Sequence, residues 1–298
     1  MTLAGAAVPS AERVDPARLA AAYAECTRIA RGHYENFTVG SWLLPRRLRH
    51  DLAAVYAFAR GADDLADEGP DAGRLVRLEA WEDRLIACAE DPAAADDPVF
   101  LALGHTIARH ELPVAPFRDL LTAFRRDAAG ESRAFATFDD VLAYCRCSAN
   151  PVGRIVLALF GYRDAERQAR ADDVCTALQL TNFWQDVAAD LERGRVYIPA
   201  EDLQRFPGSR DALVARAPNP AFRRLLAFEV ERTRELFRRG LPLADQVAGR
   251  LGREVRIFAR GGLAILDRIA AVDYDVFARR PTLTRAALVR LVLRGLWR

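Results

Sequence analysis

Two acidic motifs about 120 residues apart carry the most chemistry in this chain. The first runs from Tyr56 to Glu68 and contains Arg60, Asp63, Asp64 and Asp67. At 100° per residue on a helix, Tyr56, Arg60, Asp63 and Asp67 fall at about 0°, 40°, −20° and 20°, one narrow stripe. Leu52, Val55 and Ala59 border it, so these carboxylates are expected beside an apolar face rather than in open water. The second motif runs from Gln179 to Asp190 and continues through Arg193, Arg195 and Tyr197. With Asn182 at zero, Gln179, Asp186 and Asp190 lie at about 60°, 40° and 80°, with apolar Phe183, Trp184 and Val187 beside them. Aspartates four residues apart stand about 6 Å apart along a helix, a spacing that suits Mg²⁺. That ion prefers oxygen ligands, keeps several waters, and bridges carboxylates to phosphate oxygens. Two such rows imply a clamp for a diphosphate leaving group, with Arg60 and Arg195 as fork-shaped donors to the same anion. The competing reading of one Asp-x-x-x-Asp is a solvated acidic turn paired with arginines. Two motifs, each on an apolar flank and each with an aligned arginine, weigh against it.

The elements that must hold these residues read as helices nearly throughout. Alanine, leucine and arginine dominate, and period-2 strand patterns are missing. Helices are predicted near 14–31, 48–68, 72–90, 98–111, 114–129, 138–147, 151–161, 165–192, 220–239, 242–271 and 282–296. Connections fall near 91–98, 198–220 and 278–282. Asp15-Pro16 and Asn219-Pro220 are N-cap signals, Thr137 with Asp140 resembles a capping box, and Gly32 is a stop. The expected architecture is all-α, a single domain over 1–298 with residues 1–13 a flexible N-terminus.

Composition removes several classes. The 298 residues carry 43 basic and 41 acidic side chains, net +2, and no lysine occurs, which excludes lysine Schiff bases and the P-loop lysine. A near-neutral balance argues against a nucleic-acid partner. The five cysteines, Cys26, Cys88, Cys145, Cys147 and Cys175, have neither disulfide-framework nor zinc-site spacing and read as reduced thiols. No signal peptide and no apolar run of membrane-spanning length is evident, so the expected location is the cytoplasm, with peripheral contact at the inner face of the membrane as an option. For that contact the candidate is Leu283 to Arg298, which mixes leucines and Trp297 with four arginines; a last helix docked on the domain is the alternative.

On these residues the chain resembles the squalene/phytoene synthase family. The matching segments are Tyr56–Glu68, Tyr144–Gly153 and Gln179–Pro199, with a weaker match at Asp273–Phe277. The stretch His33–Pro45 and the run Ser148–Gly153 are most similar to the bacterial hopanoid-pathway branch. The resemblance implies an isoprenoid synthase helical bundle with a central active-site cavity. It also implies about three Mg²⁺ held by Asp63, Asp67, Asn182, Asp186 and Asp190. Tyr56 and Tyr144 would join the catalytic set, and Arg60, Arg195 and Gln179 would bind diphosphate. His33, Phe37, Leu44, Phe58, Val152, Gly153, Phe183 and Tyr274 would line a substrate tunnel. The substrate implied is a prenyl diphosphate. In that branch, presqualene diphosphate is ionised and the rearranged cation is quenched by water, with no nicotinamide cofactor and with functional coupling to a presqualene diphosphate synthase. Condensation of two prenyl diphosphates, NADPH-dependent squalene formation and a non-catalytic binding or assembly role remain alternatives. The chain departs from the family's pattern at Thr38, Gln185 and Asn150-Pro151, differences that bear on condensation more than on diphosphate ionisation.

Overall fold

The computed structural model describes residues 14–32, 45–67 and 73–284, apart from the side chain of Arg46. The expected flexible N-terminus, the pocket candidates His33, Phe37 and Leu44, Glu68, and most of the Leu283–Arg298 segment lie outside them. The fold is all-α, and among the described residues the only β-type pairing is an isolated parallel bridge between Ala134 and Val196. The chain divides into two compact units, one of residues up to 128 with 158–162, the other of 129–157 with 163 onward.

The first unit contains α1 (Pro16–Gly32), α2 (Arg49–Asp67), α3 (Arg74–Glu90), α4 (Pro98–His110) and α5 (Ala115–Ala128). The predicted signals hold at α1: the Asp15 carboxylate accepts from the Arg18 amide at 3.0 Å, and the helix ends at Gly32. Helix α2 buries Leu52, Val55, Phe58 and Ala62, one face at helical spacing. Phe58 is fully buried, with Trp81, Phe100 and Phe117 rings 5.7–6.1 Å away. Gly61 makes room for this: a Cβ there would lie 2.6 Å from the Trp81 ring. His105 and His110, which lack a partner in the sequence pattern, find one across the unit. The Tyr23 hydroxyl lies 2.9 Å from His105 Nδ1 and 3.2 Å from Asp51 Oδ1, and His110 Nε2 lies 3.0 Å from Asp51 Oδ2. That buried carboxylate ties α1, α2 and α4 together.

The second unit contains α6 (Phe138–Ser148), most of α7 (Asn150–Leu159), α8 (Ala165–Gln185), α9 (Val187–Glu192), α10 (Ala200–Arg205), α11 (Ser209–Ala215), α12 (Pro220–Gly240), α13 (Leu243–Gln246) and α14 (Gly249–Ala271). The Thr137–Asp140 capping box forms with both of its bonds, and the Asn219 side chain accepts from the Phe222 amide at 2.8 Å. Helix α8 packs on α12 and α14, and on the α12 side the indole N–H of fully buried Trp184 donates to Thr233 Oγ1 at 2.8 Å.

Four predicted spans need correction. The span 165–192 is two helices, because the chain leaves helical geometry at Asp186 (φ −106°, ψ 13°). Long-range contacts act there: Arg280 grips the Asp186 carboxylate and the Gln185 amide donates to the Pro281 carbonyl. The span 242–271 is also two helices, broken before Gly249, whose φ of +48° suits glycine. The connection 198–220 holds α10 and α11, helices of 6 and 7 residues, too short to show a period. Residues 282–284, where a last helix was expected to start, are not helical.

Candidate active site

Helix α2 supplies the first motif in one unit. Arg60 lies between two carboxylates, with Nη1 at 3.1 Å from Asp63 and Nη2 at 2.5 Å from Asp64. Asp64 was not among the predicted site residues, although its i+4 spacing from Arg60 is a sequence-level pairing signal. Burial, followed by repulsion from Asp67, pushes the Asp63 carboxyl up to about 6 despite Arg60, and Asp127 adds to the repulsion. Tyr56 lies one turn before Arg60, with its phenol pushed up by burial. The predicted stripe of Tyr56, Arg60 and Asp63 therefore exists as a half-buried row, with Asp67 exposed at the helix end.

Helices α8 and α9 supply the second motif in the other unit. Asp186 caps α8, and its carbonyl accepts from the Asp190 amide at 2.9 Å, so the i, i+4 relation survives the break between the helices. Burial, then repulsion from Asp186, pushes the Asp190 carboxyl up to about 6, opposed by Arg193, Arg195 and Arg280. Asn182 is exposed and Gln179 half-buried. The loop after α9 is held by backbone bonds: the Arg195 amide donates to Asp190 O at 2.8 Å, Val196 N to Arg133 O at 2.8 Å and Ala200 N to Phe135 O at 2.9 Å.

An aromatic cluster lies beside this half. The rings of Phe183 and Tyr197 stack at 3.7 Å with an interplanar angle of 5°, and Tyr144 and Phe135 pack within 5.6–6.3 Å of their neighbours in the group. Tyr144 and Phe183, predicted separately as catalytic and pocket residues, are thus brought together. Phe135 and Tyr197 were not among the predicted site residues. The other described pocket candidates have different immediate surroundings. Phe58 is core of the first unit, and Val152 is 48% exposed. Gly153 packs on half-buried Cys175, whose sulfur would lie 2.7 Å from an added Cβ. Tyr274 is half-buried with a φ of +59°, next to Asp273 at +53°. Arg280 was also missed: its bidentate grip on Asp186 spans 94 residues, which no local spacing reveals.

The donor set suits a hard cation. Each motif offers carboxylates without histidine or cysteine, and in each one carboxylate is raised by burial and then by its neighbour, a repulsion a divalent ion would relieve. Among the described residues, no three His, Cys, Asp or Glu side chains converge to hold a metal. An ion at either motif would therefore take further oxygens from water or a bound anion.

Residues 13–287 match the squalene/phytoene synthase family. The chain belongs to that family, whose members are enzymes. It is 41% identical to the squalene synthase HpnC of Alicyclobacillus acidocaldarius, with a TM-score of 0.82 over 89% of this chain and 99% of that one. A ligand-bound dehydrosqualene synthase superposes with a TM-score of 0.83 at 26% identity, over 94% of this chain and 98% of that one. Among characterised sequences, the hydroxysqualene synthase of Rhodopseudomonas palustris is 35% identical over 79% of this chain and 78% of its own. The 15-cis-phytoene synthase of Synechococcus elongatus is 31% identical over 89% of each. These matches assign the all-α isoprenoid synthase fold. Among the described residues, no helix is long and apolar enough to cross a membrane.

Proposed function

We propose that this enzyme ionises presqualene diphosphate and quenches the rearranged C30 cation with water, giving hydroxysqualene. The observation carrying this reading is that both aspartate motifs are intact in a chain 41% identical to the HpnC squalene synthase and 35% identical to a hydroxysqualene synthase. Asp63 and Asp67 in one motif, and Asn182, Asp186 and Asp190 in the other, would hold Mg²⁺. Bound there, the ions supply Lewis-acid stabilisation of the leaving diphosphate oxygens. Four carboxylates and a diphosphate near −3 total about −7, which about three divalent ions nearly cancel. By the family resemblance, Arg60 and Arg195 would each offer forked N–H donors to a diphosphate. Tyr144, Phe183 and Tyr197 would supply the electron-rich, dry surroundings in which a hydrocarbon cation survives long enough to rearrange. No nicotinamide is required, because water rather than hydride ends the reaction. The substrate comes from a synthase that joins two prenyl diphosphates.

Condensation of two prenyl diphosphates is the second reading, favoured by phytoene synthases that match over 89% of the chain at 31% identity. One assay separates them. Purified protein with Mg²⁺ receives farnesyl diphosphate or presqualene diphosphate, each with and without NADPH. Hydroxysqualene from presqualene diphosphate without NADPH is expected. Turnover of farnesyl diphosphate alone overturns the reading, and a strict NADPH requirement assigns the reductive reaction instead. Asp186→Asn is expected to lower turnover by at least a hundredfold with its circular dichroism unchanged.

A further inference from the structure

A cavity of about 10 Å³ adjoins the second motif, lined by nine residues, among them Phe183, Asp190, Arg195, Val196, Tyr197 and Leu213. That is about the room of one water molecule. A water persists in such a space only with two or more polar partners; an apolar void stays dry. Seven of these nine residues are apolar or aromatic, and the two charged ones are Asp190 and Arg195. Arg195 is close enough for its charge to act on Asp190, and its amide is bonded to the Asp190 carbonyl at 2.8 Å. The stacked rings of Phe183 and Tyr197 are shared between this cavity and the aromatic cluster.

We infer that this cavity holds the single water that quenches the cation, with Asp190 and Arg195 as its positioning residues; the inference rests on the function proposed above. A water that gives one hydrogen to one oxygen of the Asp190 carboxylate, the other oxygen being left for the metal, and accepts one hydrogen from an Arg195 N–H not used by the diphosphate keeps one lone pair. That pair forms the new C–O bond to the cationic carbon. The proton shed by the resulting oxonium passes to the diphosphate released in the same turnover, so charge and atoms balance. The apolar remainder of the wall offers a second water no polar partner. Without the held water, the cation's remaining exit is loss of a proton, which gives a C30 hydrocarbon in place of the alcohol.

Filling the cavity tests this. Leu213→Phe and the milder Val196→Ile each add volume at the wall and leave Asp190 and Arg195 in place. Each variant is given presqualene diphosphate and Mg²⁺ without NADPH; released diphosphate is counted, and alcohol and hydrocarbon are separated by gas chromatography. The expected result is an alcohol-to-hydrocarbon ratio lowered at least fivefold, with diphosphate release within about threefold of the parent. Leu213→Ala, which enlarges the space, is expected to keep the parental ratio or raise it. An unchanged ratio in either filled variant that still releases diphosphate overturns the assignment of the water while leaving the proposed reaction standing. A parent protein that releases no diphosphate from presqualene diphosphate removes the reaction itself, and the water site with it.

Discussion

Asp63→Asn separates a ligand site from a structural ion pair. In the metal-free protein, burial and Asp67 raise the Asp63 carboxyl from 3.8 to about 6. At about 1.4 kcal/mol per pH unit, holding it charged at neutral pH costs up to ~3 kcal/mol. The side chain is 40% exposed, and solvent screening cuts that to roughly 1 kcal/mol. The sign follows from linkage. A carboxyl whose folded value lies above its unfolded value costs nothing when protonated in both states, below about pH 4. Its penalty grows as pH rises and is complete above about 6. The asparagine variant removes the charge and keeps the shape, and Arg60 retains Asp64 at 2.5 Å. In EDTA at pH 7.5, Asp63→Asn is therefore expected to be more stable than the parent by roughly 1 kcal/mol, the gain vanishing near pH 4, while turnover is lost. Urea midpoints at the two pH values read the difference. Added Mg²⁺ with diphosphate is expected to stabilise the parent and not the variant. A variant at least 1 kcal/mol less stable than the parent in EDTA at pH 7.5 would refute the reasoning, because Asp63 would then be a pairing partner of Arg60 that the fold relies on.

Phe58→Ala is expected to cost about 3–5 kcal/mol, the range for deleting a fully enclosed aromatic ring, read by urea unfolding. A loss under about 1.5 kcal/mol would return Phe58 to the substrate tunnel. Glu254 is 5% exposed, one carboxylate oxygen has no hydrogen-bond partner, and burial alone raises its carboxyl from 4.5 to about 8. Its charge costs nothing below about pH 4.5 and most above 8, so Glu254→Gln is expected to gain on the parent as pH rises. The difference should reach on the order of 3 kcal/mol at pH 7, and a flat difference between pH 4.5 and 8 contradicts it.

Much of this enzyme is legible in its residues because its signals are local. Arg60, Asp63 and Asp67 share a face through helical periodicity alone, and Thr137 with Asp140 encodes a helix start within four residues. Periodicity from Asn182 likewise put Asp186 and Asp190 on one face, and the family resemblance added their expected metal role. What stayed hidden is long-range. Arg280 reaches Asp186 from a segment read as a plain connection, and that contact accompanies the break in a predicted 28-residue helix. Phe58 was read as a tunnel wall because an apolar residue beside a catalytic stripe looks the same whether its ring faces a ligand or the core. Only the rings of Trp81, Phe100 and Phe117 around it distinguish the two. Phe135 and Tyr197 join Tyr144 and Phe183 through the pairing of residues 133–136 with 196–201, which no periodicity predicts.

That pairing sets how the Arg195 segment behaves. Its amides are spent on a neighbouring stretch of backbone, as in a sheet, although the fold around it is helical. Amide hydrogen exchange at Val196 and Ala200 should accordingly be slow, closer to a strand's rate than to a surface loop's. Insertions at residues 133–136, far from the acidic motif in sequence, would unseat the guanidinium from a distance. In a synthase redesigned for a new product, this short tether is the place where length cannot be changed freely.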